Sequence, residues 1–281
     1  MARQRFDIGS KWLLHNQGRG ALFIGGLENV RSTEPMPGEI VQNRRYPDGL
    51  LQAFLGNDSK PHHVLIEIAT YPERRALMQA LDDLTLAYSA LGHLPELLMF
   101  VLRPKGKLRI SGEHAIQSKL GISRLEVAWR VVELWTLPAE RFLAEGDVGI
   151  MPWVPLMRMG GKPEPLLERC AERIEKEAQP KDRTDMLVIS QVMAKLRFPG
   201  LDLTNFFGGQ KIMIESPLWT QWRAEAQQGD ILELLKDRFG PVPRDVIKLL
   251  SAVDNEKKLR KLNVLASKCA DLDAFREAIQ G

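Results

Sequence analysis

Residues 44–75 read RRYPDGLLQAFLGNDSKPHHVLIEIATYPERR, and this stretch decides the fold. Two apolar runs, Gly49–Leu55 and His63–Thr70, flank the turn-rich segment GNDSKP. Runs of this length, rich in Leu, Val and Ile and bounded by Gly, Asn, Asp and Pro, are typical of strands joined in a hairpin. We therefore predict that the two runs pair as neighbouring strands.

Two carboxylates belong to this predicted hairpin. Asp48 begins the first strand, and Glu67 lies inside the apolar second strand. An ionised carboxylate is costly to bury unless it is paired or binds a metal. Two carboxylates brought together by one hairpin suit Mg²⁺, a hard ion that prefers oxygen ligands. The sequence therefore predicts Asp48 and Glu67 as metal ligands.

An Asp at a strand start, a hairpin, an E-x-(K or Q) strand and a following helix resemble the PD-(D/E)XK nuclease superfamily. The longer run HVLIEIATYPERRALMQALDDLTLAYSALGHLPELLMFVLRPKG resembles the Rpn-type recombination-promoting nucleases, also called putative transposases. The resemblance extends in pattern over residues 5–155. It implies an α/β fold with a restriction-endonuclease-like mixed sheet flanked by helices.

The same resemblance implies a metal-dependent DNA endonuclease that hydrolyses phosphodiesters, with one Mg²⁺ held by Asp48 and Glu67. The chain departs from the family pattern two residues after Glu67. Ala69 stands where the family has Gln or Lys, so the motif is a degenerate E-x-A. Whether Glu39 or Glu73 completes the metal shell stays open.

The first turn of the next predicted helix is where we look for a replacement for the missing side chain. It carries Arg74, which we assign to catalysis as the group that offsets charge on the phosphate. Arg75 and Gln79 follow on the same turn and the next. The alternative is that Arg74 and Arg75 are simply solvated.

Three functions stay open at this point. The first is the DNA endonuclease. The second is a catalytically inactive relative that binds DNA or a partner protein, which Ala69 favours. The third is a structural or assembly role, in which Asp48 and Glu67 make buried ion pairs. From the resemblance alone we also expect a homodimer.

Hydrophobic patterning predicts the remaining elements of the first part of the chain. Arg31–Gly38 is predicted as a loop. The predicted helices are a short one near Asp7–His15 and a longer one over Arg74–Leu91, whose apolar stripe includes Tyr88. The predicted strands are Glu39–Arg45, Glu96–Leu102, Leu108–Ile110 and Leu125–Leu134. Asp7 and Lys11 match an Asp and a Lys that often open the family, or they form an i,i+4 surface ion pair.

We predict three regions: a nuclease-like domain over residues 1–160, a helical extension over 161–215 and a small helical C-terminal domain over 216–281. The last region resembles the helical tail often attached to Rpn-type nucleases. The basic stretch Arg103–Arg109 and the lysines of the tail either neutralise DNA phosphates or form solvated surfaces. The net charge of +3 decides neither case.

Several other classes of function find no support in the sequence. Cys170 and Cys269 are far apart and belong to no C-x-x-C unit, so we expect two buried, reduced thiols. The chain has no G-x-G-x-x-G and no G-K-[ST], so we expect no nucleotide cofactor. His62 and His63 are adjacent and point to opposite faces of a strand, and His93 has no partner at metal-ligand spacing. With no signal peptide and no apolar span, we expect a cytoplasmic protein without a membrane segment.

Overall fold

The structure, a computed structural model, describes residues 2–36, 47–119, 122–203, 206–209, 212 and 216–280. The chain divides into two compact units, residues 2–209 and residues 210–281. The region predicted as a helical extension therefore falls within the first unit as far as Gly209. Each unit is described by itself.

A mixed five-stranded sheet forms the centre of the first unit. The described strands of the unit are β1 (Val30–Pro35), β2 (Gly49–Leu55), β3 (His62–Ala69), β4 (Glu96–Val101), β5 (Glu113–Gln117), β6 (Arg124–Ala128) and β7 (Arg130–Glu133). The sheet has the order β1-β2-β3-β4-β7. The pairs β1/β2 and β2/β3 are antiparallel, whereas β3/β4 and β4/β7 are parallel. Strands β5 and β6 pair with each other as a separate antiparallel ribbon.

The helices of the first unit flank this sheet. They are α1 (Ala2–Ile24), α2 (Arg74–Leu91), α3 (Ala139–Glu145), α4 (Pro163–Glu177) and α5 (Pro180–Arg197). The predicted bounds of α2 are confirmed, and Gly92 ends it in the left-handed conformation with φ of 73°. Helix α1 is longer than the helix predicted near Asp7–His15 and is interrupted at Gln17, whose φ of −133° is not helical.

The two faces of β3 have different neighbours because successive side chains of a strand point to opposite sides. On one face, Leu65 and Ala69 pack in an apolar cluster with Ala80 and Leu84 of α2. On the other side of the sheet, α1 lies so close that a Cβ on Gly49 would come within 2.9 Å of a Leu14 methyl. The central strands are buried from both sides, as parallel strands require.

The predicted hairpin and the predicted strand over Glu96–Leu102 are confirmed. The loop predicted over Arg31–Gly38 was wrong at its start, because Val30–Pro35 forms β1 and pairs with β2. The strand predicted over Glu39–Arg45 lies outside the described residues. Leu108–Ile110 is not a strand, and Leu108 is 55% exposed. The run Leu125–Leu134 divides between β6, β7 and a short 3-10 turn.

The second unit is helical in its described part. Its helices are α6 (Pro217–Phe239), α7 (Arg244–Ser251), α8 (Glu256–Lys268) and α9 (Leu272–Gln280). Ile231, Leu250 and Phe275 are among the residues of its apolar core. Asp271 caps α9, since its Oδ1 accepts a hydrogen bond from the Ala274 amide at 2.8 Å.

Among the described residues, no helix combines the length and the apolar character that crossing a membrane requires.

A buried carboxylate cluster as the candidate functional site

Strand register brings the two predicted metal ligands together. Gly49 of β2 pairs with Ile66 of β3, so Asp48 lies beside Glu67 at the end of the hairpin. The Ile68 amide donates a hydrogen bond of 2.8 Å to Asp48 Oδ2. This bond fixes the Asp48 carboxylate against the strand that carries Glu67. The sequence correctly placed these two residues next to each other.

Glu67 is deeply buried, with 4% of its surface exposed. Alternation along β3 puts its side chain on the face covered by α2. Gln79 of α2 donates to Glu67 Oε2 at 3.5 Å, a long hydrogen bond. The other oxygen, Oε1, has no hydrogen-bond partner among the described residues. Asp83 is a further hydrogen-bonding neighbour of the Glu67 carboxyl group. A buried carboxyl oxygen that accepts no hydrogen bond from an N–H group is stabilised by a proton or a cation beside it.

Asp83 is a third carboxyl group at this site, and sequence reasoning missed it. It lies on α2, is 2% exposed, and its side chain is within hydrogen-bonding contact of Glu67. A signal was available: Asp83 follows Ala80 by three residues and precedes Ala87 by four, so it shares the buried stripe of α2. The predicted stripe instead included Tyr88, which is 52% exposed.

The electrostatics of the cluster favour a protonated Glu67. Burial raises the pKa of Glu67 well above its usual value, and the charges of Asp48 and Asp83 raise it further. The hydrogen bond with Asp83 acts in the same direction, whereas the nearby charge of Lys11 lowers the pKa. Without a cation, the site therefore holds a proton between neighbouring carboxyl groups.

Lys11 supplies the positive charge of the site. It lies on α1, and its Nζ is 3.5 Å from Asp48 Oδ1. The Asp48 side chain is 7% exposed and that of Lys11 is 42% exposed, so the ion pair lies where the cluster meets solvent. The alternative partner, Asp7, has a side chain outside those that the structure describes.

Ala69 offers only a methyl group at the position where the nucleases that the sequence resembles have Gln or Lys. It is on the same face of β3 as Glu67, is 8% exposed and packs in the cluster with Ala80 and Leu84. The amide that does reach Glu67 comes from Gln79, in the second turn of α2. The amide beside Glu67 therefore belongs to helix α2 and not to strand β3.

The other predicted participants lie further from this cluster. Arg74 is exposed as the first residue of α2, and no contact of its side chain with Asp48 or Glu67 is recorded in the described part of the chain. Glu73 pairs with Lys105 at 3.0 Å. Glu39 lies outside the described residues.

The basic stretch is partly neutralised by carboxylates. Besides the Lys105–Glu73 pair, Arg109 pairs with Glu133 at 3.2 Å and lies over the Trp135 ring. Lys107 is exposed, and within the described ranges no ion pair of this residue is recorded. Only part of the predicted basic surface is therefore available to phosphates.

Two further predictions concern side chains outside the cluster. The cysteines are free and buried, as expected, and burial raises the pKa of the Cys170 thiol to about 12. His93, which has no partner at metal-ligand spacing in the sequence, has its Nε2 2.8 Å from Nδ1 of His63. Thirty residues separate them in sequence, and the pairing of β3 with β4 brings them together.

In the part of the chain that the structure describes, no group of three or more His, Cys, Asp or Glu is arranged to hold a metal ion. The carboxyl oxygens of Asp48 and Glu67 nevertheless suit Mg²⁺ chemically. This ion is commonly held by one or two carboxylates, with water and substrate phosphate completing its shell.

No family model matches the chain. No curated protein matches its sequence. No solved structure matches its fold.

Proposed function

We propose that this chain is a metal-dependent DNA endonuclease of the recombination-promoting (Rpn) kind. One observation carries the proposal: Asp48 and Glu67 meet at the end of a hairpin, with Lys11 on one carboxylate and Gln79 on the other. Neighbouring carboxyl groups with a strongly shifted pKa are typical of functional sites.

The order of the elements supports the nuclease resemblance. Asp48 directly precedes β2, the hairpin follows, Glu67 lies within β3, and α2 comes next. A mixed sheet flanked by helices is what the resemblance implies for the fold. The finer assignment to the PD-(D/E)XK class is part of this proposal.

Asp48 and Glu67 would hold the Mg²⁺. When bound, the ion would lower the pKa of a coordinated water and offset negative charge on the scissile phosphate. Oε1 of Glu67 is the oxygen most available for this role, because it has no hydrogen-bond partner among the described residues. Glu67 would give up its proton as the cation enters.

The remaining side chains position these groups. The Ile68 amide and Lys11 orient Asp48, and Gln79 orients Glu67. Gln79 would take the place of the Gln or Lys that the family has at the position of Ala69. Arg74 stays our candidate for offsetting charge on the phosphate, from the exposed start of α2.

Nicking of supercoiled plasmid by the full-length protein tests the proposal. We expect nicking with Mg²⁺ or Mn²⁺, none with EDTA, and loss of activity in the double variant Asp48→Asn, Glu67→Gln. The matched control is Asp82→Asn, because Asp82 neighbours Asp83 on α2 but is exposed. Nicking that persists in the double variant would contradict the proposal.

A second function is favoured by one observation: Ala69 sits in a closed apolar cluster and offers nothing to an attacking water. In that case the protein is a catalytically inactive relative that binds DNA or a partner protein. A retained mobility shift on DNA, without nicking under any metal condition, would support binding to DNA instead of catalysis.

A further inference from the structure

His63 and His93 form a cluster that the proposed nuclease chemistry does not use. Strand β3 pairs in parallel with β4, with Val64 beside Glu96. His63 directly precedes Val64, and His93 lies three residues before Glu96, so both histidines lie at the same edge of this strand pair. This places His93, in the loop after α2, against His63, with 2.8 Å between Nε2 of His93 and Nδ1 of His63.

The tautomer of His93 is set by a second contact. Its Nδ1 lies 3.1 Å from the carbonyl oxygen of Leu91, and only a protonated Nδ1 can donate to that oxygen. In the neutral imidazole, Nε2 then carries a lone pair, and this lone pair faces His63. A ring N–H held by a backbone carbonyl is also how proteins orient histidines that ligate metals.

The spacing of the two nitrogens suits a shared ion. Imidazole nitrogens bind transition metals at about 2.0–2.1 Å, so two of them at a right angle lie roughly 2.9 Å apart. The observed 2.8 Å is close to that value. The ring centroids are 4.8 Å apart and the planes are inclined by 47°, so the rings are not stacked face to face.

The environment of His63 favours its neutral form, and neutral imidazole is the form that ligates metals. Burial lowers the pKa of His63, and the nearby His93 and His62 lower it further. His62 points to the other face of the strand and is paired with Asp58 at 2.9 Å. The solvent side of the pair is open, because His93 is exposed.

From these contacts we propose that His63 and His93 chelate one late transition-metal ion of the Ni²⁺ or Cu²⁺ class, whose square or octahedral geometry provides right-angled positions. Water fills the other positions. The ion takes the place of the proton that the two rings share, and that proton moves to Nε2 of His63, the other nitrogen of the same ring. The ion then ties the end of α2 to the start of β3. The proposal does not depend on the nuclease function.

Isothermal titration of the full-length protein with Ni²⁺ tests the proposal, in a buffer that does not chelate metals. We expect one ion per chain to be held by the imidazoles, and at least a tenfold loss of its affinity in His93→Ala and in His63→Gln. The matched controls, His62→Ala and His114→Ala, remove one histidine each and should bind as the wild type does. The double variant Asp48→Asn, Glu67→Gln should also bind normally, which separates this site from the carboxylates.

Electron paramagnetic resonance of the Cu²⁺-loaded protein provides a second readout. We expect nitrogen hyperfine structure from two imidazoles, reduced to one or none in His93→Ala. His93 is exposed, so this variant should fold normally, and circular dichroism checks that it does. Binding that is absent, or that His93→Ala leaves unchanged, would show that the two rings share only a proton and would overturn the proposal.

Discussion

The two ends of strand β3 each carry a polar side chain on the face covered by α2, and the two side chains differ in chemistry. Glu67 and His63 are four residues apart, roughly 13 Å along the strand, and alternation puts both on the face of α2. At the Glu67 end, the site is buried and built from carboxylates. At the His63 end, it is partly open to solvent and built from imidazoles.

Burial explains the difference between the two ends. Deep in the unit, a carboxyl group keeps a proton or takes up a hard cation, because an isolated charge there is too costly. Near the surface, an imidazole needs no such compensation. One strand thus carries a carboxyl group and an imidazole in two different environments, and the variants below test whether the two proposed sites are independent.

The largest expected effect on stability comes from a core substitution in β3, between the two ends. Leu65 is fully buried, midway between His63 and Glu67. We expect Leu65→Ala to lower the free energy of unfolding by about 2–5 kcal/mol, because it leaves a cavity. Urea denaturation measures this loss. The control is Leu94→Ala at a position 60% exposed, where a change above about 0.5 kcal/mol would argue against burial as the cause.

The next effect concerns the Glu67 end alone. We expect Gln79→Ala to slow Mg²⁺-dependent nicking roughly tenfold to a hundredfold, because a misplaced catalytic group is costly. Adding Ala69→Gln to this variant should restore part of the rate, since it supplies an amide from the family position. Single-turnover nicking measures both, and Ni²⁺ binding at the His63 end should stay the same. A Gln79→Ala variant with the wild-type rate would remove Gln79 from the site.

The protonation of Glu67 predicts a pH dependence of stability in EDTA. The folded-state pKa of Glu67 is raised. The contribution of Glu67 to the free energy of unfolding is therefore fully present below its unfolded-state pKa of about 4.3. This contribution is lost as the pH rises towards the folded-state pKa. Glu67→Gln cannot ionise. We therefore expect this variant to gain stability over the wild type between pH 5 and pH 8, as urea denaturation would measure. Glu96→Gln, at an exposed position, should show no such trend; an equal trend would contradict our interpretation.

The smallest expected effect concerns the basic stretch Arg103–Arg109, which lies outside β3. We expect Lys107→Ala to leave stability within about 0.5 kcal/mol of the wild type. It should weaken DNA binding a few-fold and reduce the slope of log affinity against log salt by about one, as the loss of one phosphate contact would do. Lys105→Ala is the matched control, because Glu73 already engages Lys105. Equal effects of both variants would mean that the ion pair does not restrain Lys105.

Local sequence was enough to predict the elements around the candidate site. The hairpin, the bounds of α2 and the buried strand β4 follow from apolar runs, turn residues and helical periodicity, all of which are short-range signals. The proximity of Asp48 and Glu67 also follows, because a hairpin fixes which residues lie opposite each other. Strand β1 was missed because Val30 is its single buried residue, so its sequence has no apolar run typical of a strand. Its hydrogen bonds with β2 hold it in the sheet.

Tertiary packing alone decided which other side chains join each site. Lys11 reaches Asp48 because α1 lies across the sheet, and Asp83 reaches Glu67 because α2 folds back over β3. His93 meets His63 only through the parallel pairing of β3 and β4. Sequence determines the residue types and the local geometry of each element. The contacts between distant elements depend on how their apolar faces pack, and no short-range pattern records that.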